Sequence, residues 1–429
     1  MLPAAPQAAQ AHAYLVRSFP GNGSVLKQAP RSVRLVFSDS IRPTDGNAVT
    51  LNRGGSVLEG PPRVDPTRHR ELVLPLLGGL ANGDYTVRWR VLSDDGHTLE
   101  GLLAFGIGSG RGPPRAELPL IGSGLDYTNL VGRGLFLLGV LGSLGVVTFA
   151  LLVWRPAVRN AALAEEERTA LEARAARTGS AVLFVSFLIS QLGSVLAILH
   201  ATADTRYGRV HELAVVFAGI GAAATASSAR PMRVLTAAAA VGLAATPSLA
   251  GHPLDPGEPQ VLSLAADLVH VWAAAVWLGG LFALALSLRE MRRVVPNAQE
   301  LSALLARRFS RVALVAVLLI AASGLARALV ELTSVQQLWQ LSYGRAILVK
   351  TGLLLALLIV AWINRFRLVP RLAAGGSTRA ERQLEATALA ELALLLVVLG
   401  AVAVLTDLRP GRTFGRGSPS PAVTSFPLR

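Results

Sequence analysis

The sequence predicts a small all-β domain followed by an all-α polytopic membrane bundle, and three observations carry that prediction. The 429 residues are 52% hydrophobic and only 16% charged, with a mean hydropathy of +0.48, which is too apolar for a soluble chain of this length. In the N-terminal quarter, apolar residues alternate in short runs between turn residues, the pattern of half-buried strands. Beyond it they lengthen into stretches near the ~20 residues that a helix needs to cross about 30 Å of hydrocarbon.

The strands read most clearly in Tyr85-Thr86-Val87-Arg88-Trp89-Arg90-Val91, where odd positions are apolar and even ones polar. Ser32-Val33-Arg34-Leu35-Val36-Phe37 and Leu103-Ala104-Phe105-Gly106-Ile107 are similar in kind. Turn signals at Pro20-Gly21-Asn22-Gly23, Pro43-Thr44-Asp45-Gly46-Asn47, Arg53-Gly54-Gly55 and Ala81-Asn82-Gly83-Asp84 separate them. A small antiparallel sandwich over residues 12–108, Greek-key or immunoglobulin-like, accommodates this pattern. No segment of it is apolar for long enough to span a bilayer.

Residues 109–129 form a Gly-, Pro- and Arg-containing linker, and residues 130–406 hold eight expected spans: 130–154, 179–200, 210–228, 234–249, 262–288, 312–330, 344–363 and 388–406. The fourth, short and Ala-rich, is the weakest. The net charge of +14 comes from 39 Arg and two Lys, and in a membrane protein such an excess marks cytoplasmic loops rather than a nucleic-acid partner. The odd-numbered connections carry Arg155, Arg159, Arg168, Arg174 and Arg177; then Arg230 and Arg233; then Arg289, Arg292, Arg293, Arg307, Arg308 and Arg311; then Arg365, Arg367, Arg371, Arg379 and Arg382. The second connection holds only Arg206 and Arg209, and the fourth and sixth hold none. Arginine placement therefore puts both termini outside, including the polar tail 407–429, which reads as disordered.

Composition also limits the chemistry. Without Cys, disulfides, thiolate zinc sites, iron–sulfur clusters and cysteine nucleophiles are excluded. With only Met1, Met232 and Met291, sulfur sites for Cu(I) are nearly excluded too. No GxxxxGK[ST] loop and no Asp-phosphorylation segment occur, so no nucleotide partner is expected, and no enzyme chemistry is indicated.

Ala9-Gln10-Ala11 has the small-x-small form of a signal-peptide cleavage site, which makes residues 1–11 a signal remnant and His12 the first mature residue. A free α-amine and the same residue's imidazole can close a chelate ring on one ion. On its own, His12 reads rather as an ordinary residue of a frayed terminus. Ser93-Asp94-Asp95-Gly96-His97 follows the best strand, and Asp95 with His97 sets a carboxylate and an imidazole at i and i+2. That segment alone reads as a plain hairpin turn. Taken together, two imidazoles, an amine and a carboxylate suit tetragonal Cu(II) better than other common ions.

His12-Ala13-Tyr14-Leu15-Val16, Ala29-Pro30 ahead of Val33-Arg34-Leu35-Val36-Phe37-Ser38, Gly83-Asp84-Tyr85-Thr86-Val87-Arg88-Trp89 and Ser93-Asp94-Asp95-Gly96-His97-Thr98-Leu99-Glu100-Gly101 resemble the periplasmic copper-resistance C family (CopC). The resemblance implies a β-sandwich binding Cu(II) through His12, Asp95 and His97. No Met lies between residues 2 and 231, so the Met-rich Cu(I) site of some members is absent. His69, between Arg68 and Arg70, reads as a solvated loop residue.

His200, His211, His252 and His270 all fall toward the outer side of the expected bundle, with Asp204, Glu212 and Asp255 near the same surface. Asp267 and His270 lie three apart on one helical face, where a carboxylate orients an imidazole or binds metal with it. Arg327, Glu331 and Lys350 also sit in the outer halves of their helices, as ion pairs between helices or as functional groups. Asp267-Leu268-Val269-His270-Val271-Trp272, Trp277-Leu278-Gly279-Gly280-Leu281, Arg308-Phe309-Ser310-Arg311-Val312-Ala313, Tyr343-Gly344-Arg345, Leu348-Val349-Lys350 and Asn364-Arg365 resemble the copper-resistance D family (CopD) of inner-membrane proteins. Together the two resemblances imply a multi-pass protein of the bacterial inner membrane that captures Cu(II) outside and imports it or hands it on. The expected partners are the copper ion, the lipid bilayer and a periplasmic copper chaperone or cuproenzyme, with His200, His211, His252, Asp267 and His270 as the membrane path. Two other readings stay open on the residues: a b-type haem redox protein using His200 and His270, and a copper sensor or assembly factor that transports nothing.

Overall fold

A computed structural model of the chain describes residues 13, 15–51, 54–109, 114, 127–201, 204–251, 259–294, 299–332, 334–373 and 378–405. They divide into two compact units, a β-sandwich with which residues 204–209 group, and a helical unit.

Nine strands build the sandwich: β1 (Leu15–Phe19), β2 (Val25–Leu26), β3 (Ser32–Phe37), β4 (Ile41–Pro43), β5 (Ala48–Leu51), β6 (Arg63–Asp65), β7 (Arg68–Pro75), β8 (Gly83–Ser93) and β9 (Thr98–Ile107). One sheet runs in the order β1-β3-β7-β6 and the other β2-β9-β8-β4, with β5 also pairing on β8. The alternation expected from the sequence is what the core uses. Val33, Leu35 and Phe37 of β3 meet Tyr85, Val87, Trp89 and Val91 of β8 and Leu103, Phe105 and Ile107 of β9 in one apolar cluster, while Arg34, Arg88 and Arg90 point away from it. The antiparallel β8–β9 ladder is the longest, from Gly83 opposite Ile107 to Leu92 opposite Thr98. It ends in the tight turn that carries Asp95 and His97.

The helical unit contains α1 (Tyr127–Phe149), running through a π turn (Ala150–Trp154) into α2 (Arg155–Asn160), then α3 (Glu165–Ala201), α4 (Arg206–Ala224), α5 (Arg230–Ala250), α6 (Gln260–Met291), α7 (Gln299–Glu331), α8 (Gln337–Gln340) and α9 (Ser342–Ile363). A second π turn (Asn364–Leu368) leads to α10 (Val369–Ala373), and α11 (Thr378–Leu405) follows. Helix starts obey local chemistry. Glu167 reaches back to accept the Ala164 N–H at 3.2 Å, beside the helix dipole that three successive Glu favour. Thr205 caps α4 by accepting the Gly208 N–H at 2.9 Å.

Each of the eight expected spans overlaps a helix, though the third runs past the end of α4 at Ala224, and among the described residues seven of these helices are long and apolar enough to cross a membrane. The eighth is α4, whose first two turns hold Arg206, Arg209, His211 and Glu212. The segment that looked weakest in the sequence, now α5, is among the seven. The unit is therefore the body of a multi-pass membrane protein.

Small residues let helix backbones touch, as they must where lipid offers no hydrophobic driving force between helices. A Cβ on Gly145 of α1 would lie 2.3 Å from the Ala275 carbonyl oxygen and 2.4 Å from Gly279 Cα on α6. At the arginine-rich end, Glu290 pairs with Arg174 and, at 2.8 Å, with Arg293, while Arg292 pairs with Glu385. Arg365 Nη1 donates to both the carbonyl and hydroxyl oxygens of Ser310 at 2.8 Å. Buried Glu391 of α11 accepts a hydrogen bond from Asn364 at the second π turn.

The α1–α6 contact makes a direct expectation. Gly279→Leu places a side chain where backbone already stands and should abolish monodisperse elution of the full chain in mild detergent. Gly352→Leu, at a position where a Cβ meets nothing within 4 Å, should elute as wild type.

Candidate functional site

In the turn at residues 94–97, Gly96 has φ +82°, a left-handed conformation that only glycine adopts without strain. Its missing Cβ also matters, since one would lie 2.8 Å from Tyr207 Cγ. The Gly96 N–H donates to the Ser93 carbonyl at 3.0 Å and the Ser93 N–H to the His97 carbonyl at 2.9 Å. Asp95 Oδ1 accepts the His97 N–H at 3.3 Å, and Asp95 Oδ2 lies 3.2 Å from His97 Nδ1. Asp95 is only 3% exposed, so this buried carboxylate is held against its own i+2 imidazole, as the spacing predicts.

A third element reaches the same turn. Ala13, 2% exposed, donates its N–H to Ser93 Oγ at 3.4 Å, bringing the start of the chain to the end of β8 across 80 residues of sequence. His12 itself lies outside the described residues.

Two more carboxylates stand nearby, and sequence reasoning did not single them out. Asp94 donates its N–H to the Ser40 carbonyl and accepts the Arg206 N–H on Oδ1 at 2.9 Å and the Tyr207 N–H on its carbonyl at 3.2 Å. Burial pushes the Asp39 carboxyl above the usual carboxylate range, opposed by the Ser40 N–H and reinforced by the charge of Asp94; Arg206 pulls it down and Asp95 pushes it further up. The polar triplet Ser38-Asp39-Ser40, directly after an apolar strand, was the signal available for Asp39.

Of the expected path residues in the helical unit, His211, Asp267 and His270 have described side chains. His211 is fully buried with its ring 4.5 Å from that of Phe136, edge on. His200 lies in the last turn of α3, and His252 and Asp255 fall outside the described residues. His270 Nδ1 is held by Ser323 Oγ of α7 at 3.0 Å. Asp267 acts electrostatically on Lys350, Glu331 and Tyr343, while Arg327 pairs with Glu331 one turn along α7 rather than between helices. Among the described residues, no three metal-ligating side chains converge on one point. Ser323 carries no sequence signal that separates it from other small helical residues.

Ser323 is placed to set the His270 tautomer. Its hydroxyl lies 2.6 Å from the Leu319 carbonyl; with its proton given there, Nδ1 is the donor in their contact and Nε2 of a neutral ring is the nitrogen available to a ligand.

Residues 15–108 match the CopC domain family and residues 303–405 match "Copper resistance protein D". The copper transport protein CutJ of Bacillus subtilis is 27% identical over 94% of this chain and 75% of its own length. Protein YobA of Escherichia coli K12 is 30% identical over 23% of this chain and 79% of its own. Copper resistance protein D of Pseudomonas syringae pv. tomato is 32% identical over 42% of this chain and 61% of its own. The chain therefore carries a CopC domain at residues 15–108 and a CopD domain at residues 303–405 on one polypeptide.

Proposed function

We propose that the protein captures Cu(II) at the extracytoplasmic face through His12, Asp95 and His97, and passes it to the membrane half for import or for delivery to a periplasmic chaperone or cuproenzyme. One observation carries this reading: the buried Asp95 carboxylate lies against the His97 imidazole at the turn where Ala13, the residue bonded to His12, is hydrogen-bonded to Ser93. Consecutive Cα atoms are ~3.8 Å apart, so a chain starting at His12 brings an amine and a second imidazole within one residue's length of that turn. Nitrogen and oxygen donors favour Cu(II) over Cu(I). Asp39 and Asp94 add negative charge whose mutual repulsion a bound dication relieves. The alternation of arginine between connections supports an extracytoplasmic sandwich.

For the onward path we place His200, His211, His252, Asp267 and His270. His270 has the strongest support, because its Nδ1–H is committed to Ser323 and metal-ligating imidazoles characteristically donate their second nitrogen in this way.

Three outcomes test the reading. A chain beginning at His12 with a free amine should bind one Cu(II) with a nitrogen-rich tetragonal paramagnetic resonance spectrum, and retaining residues 1–11 should weaken binding strongly; equal affinity removes the terminus from the ligand set. In the metal-free chain, the protonated Asp39 carboxyl is favoured by folding, so its contribution is full below about pH 4 and lost as pH rises through the raised folded value. Asp39→Asn should therefore increase amide-exchange protection of β8 at neutral pH, with the gain gone below about pH 4; a gain persisting in acid would exclude this ionisation as its cause. Proteoliposomes of the wild type should accumulate isotopic copper while His270→Ala vesicles do not, with Cu(II) binding outside unchanged. Wild-type uptake no greater than that of empty vesicles would sink the transport claim.

A further inference from the structure

The helical unit has an open cleft of about 810 Å³ at its arginine-rich end, between α1, α3, α5 and α6. That is the upper part of the ~300–1,000 Å³ range of small-molecule pockets. One wall is apolar, formed by residues such as Val146, Phe149, Leu183, Val234, Ala237 and Phe282, of which Val234 and Phe282 are themselves exposed. Its rim is different in kind. Five arginines line it against two carboxylates, Glu172 and Glu290. Glu290 is committed to Arg174 and Arg293, whereas Arg155, Arg159, Arg230 and Arg233 are exposed and none makes an ion pair among the described residues.

Four guanidinium groups with no ion pair among the described residues, at the mouth of an apolar cleft, suit an amphiphile with an anionic head. Guanidinium pairs matched to a phosphate bind it bidentately, and a basic pocket between membrane helices is the setting in which lipid headgroups are recognised. The π turn contributes to the cavity directly, since Ala150, Leu151 and Trp154 all line it. An indole at the headgroup level of a bilayer anchors the boundary between its apolar and polar parts.

We propose that this cavity binds one anionic phospholipid, with an acyl chain along the α1–α5–α6 wall and the phosphate at Arg155, Arg159, Arg230 and Arg233. The inference is independent of copper handling. A zwitterionic lipid fits the same wall but brings its own ammonium to the arginines, so discrimination between headgroups is the signature.

The test is native mass spectrometry of the full chain, released from mild detergent with equimolar dioleoyl-phosphatidylglycerol and dioleoyl-phosphatidylcholine. Wild type should retain the anionic lipid with a preference on the order of tenfold. R230Q/R233Q should lose that preference, and Ala237→Trp, which fills the wall and keeps every arginine, should lose lipid of both kinds. R307Q, altering an exposed arginine of the same end outside the cavity, should behave as wild type. Equal retention of the two lipids by the wild type would overturn the proposal. So would unchanged retention in both cavity variants, an equal loss in R307Q, or displacement of the lipid by excess inorganic phosphate, which would make the site one for free anions.

Discussion

An ionised or hydrogen-bonding group left unmatched in hydrocarbon is so costly that its avoidance orders the whole helical half of this protein. Many polar side chains gather toward two ends, and the buried ones among them find partners there. At one end Glu290 is shared by Arg174 and Arg293, Arg292 meets Glu385, and Arg365 is doubly bonded to Ser310. Toward the other, Arg327 pairs with Glu331, and Asp267 acts on Lys350 and Tyr343. Phe136, Val140, Leu144, Trp277 and Leu281 belong to the apolar core that joins α1 to α6. Glu391, with the neutral amide of Asn364 as its described partner, follows the same rule by hydrogen bonding rather than by charge.

Much of this was legible in the sequence because two periodicities carry it. Alternation in residues 85–91 located β8 and its inward face, and the length of apolar runs located every long helix. Hydropathy was a poorer guide to which helices stand out as spans: α5 is Ala-rich yet qualifies, whereas α4 is displaced from the set by four polar residues at its start. What the sequence could not show were partners distant along the chain. Nothing in Ala13 foretells a bond to Ser93, and nothing in Asp39 foretells that burial and two neighbouring carboxylates will hold it partly against ionisation. The i, i+3 spacing of Asp267 and His270 was read correctly as one helical face, but the bond that holds the imidazole comes from Ser323 on another helix.

The turn at residues 94–97 achieves its geometry with few residues. Asp95 engages both the backbone and the ring of His97, so its carboxylate is fixed before any ligand arrives. Gly96 permits the required backbone sign, and Asp94 is occupied with Ser40, Arg206 and Tyr207, which separates the roles of two adjacent aspartates. Preorganisation of this kind lowers the entropy lost on capturing an ion.

The Gly145–Gly279 contact has a mechanical meaning. With backbone against backbone and no side chain between them to change rotamer, α1 and α6 cannot slide along one another, because a shift of one residue brings Val146 or Leu278 into the space of a peptide group. Tilting about the crossing remains open to them. The crossing is thus a fulcrum, and any rearrangement of these two helices widens one end of the bundle as it narrows the other.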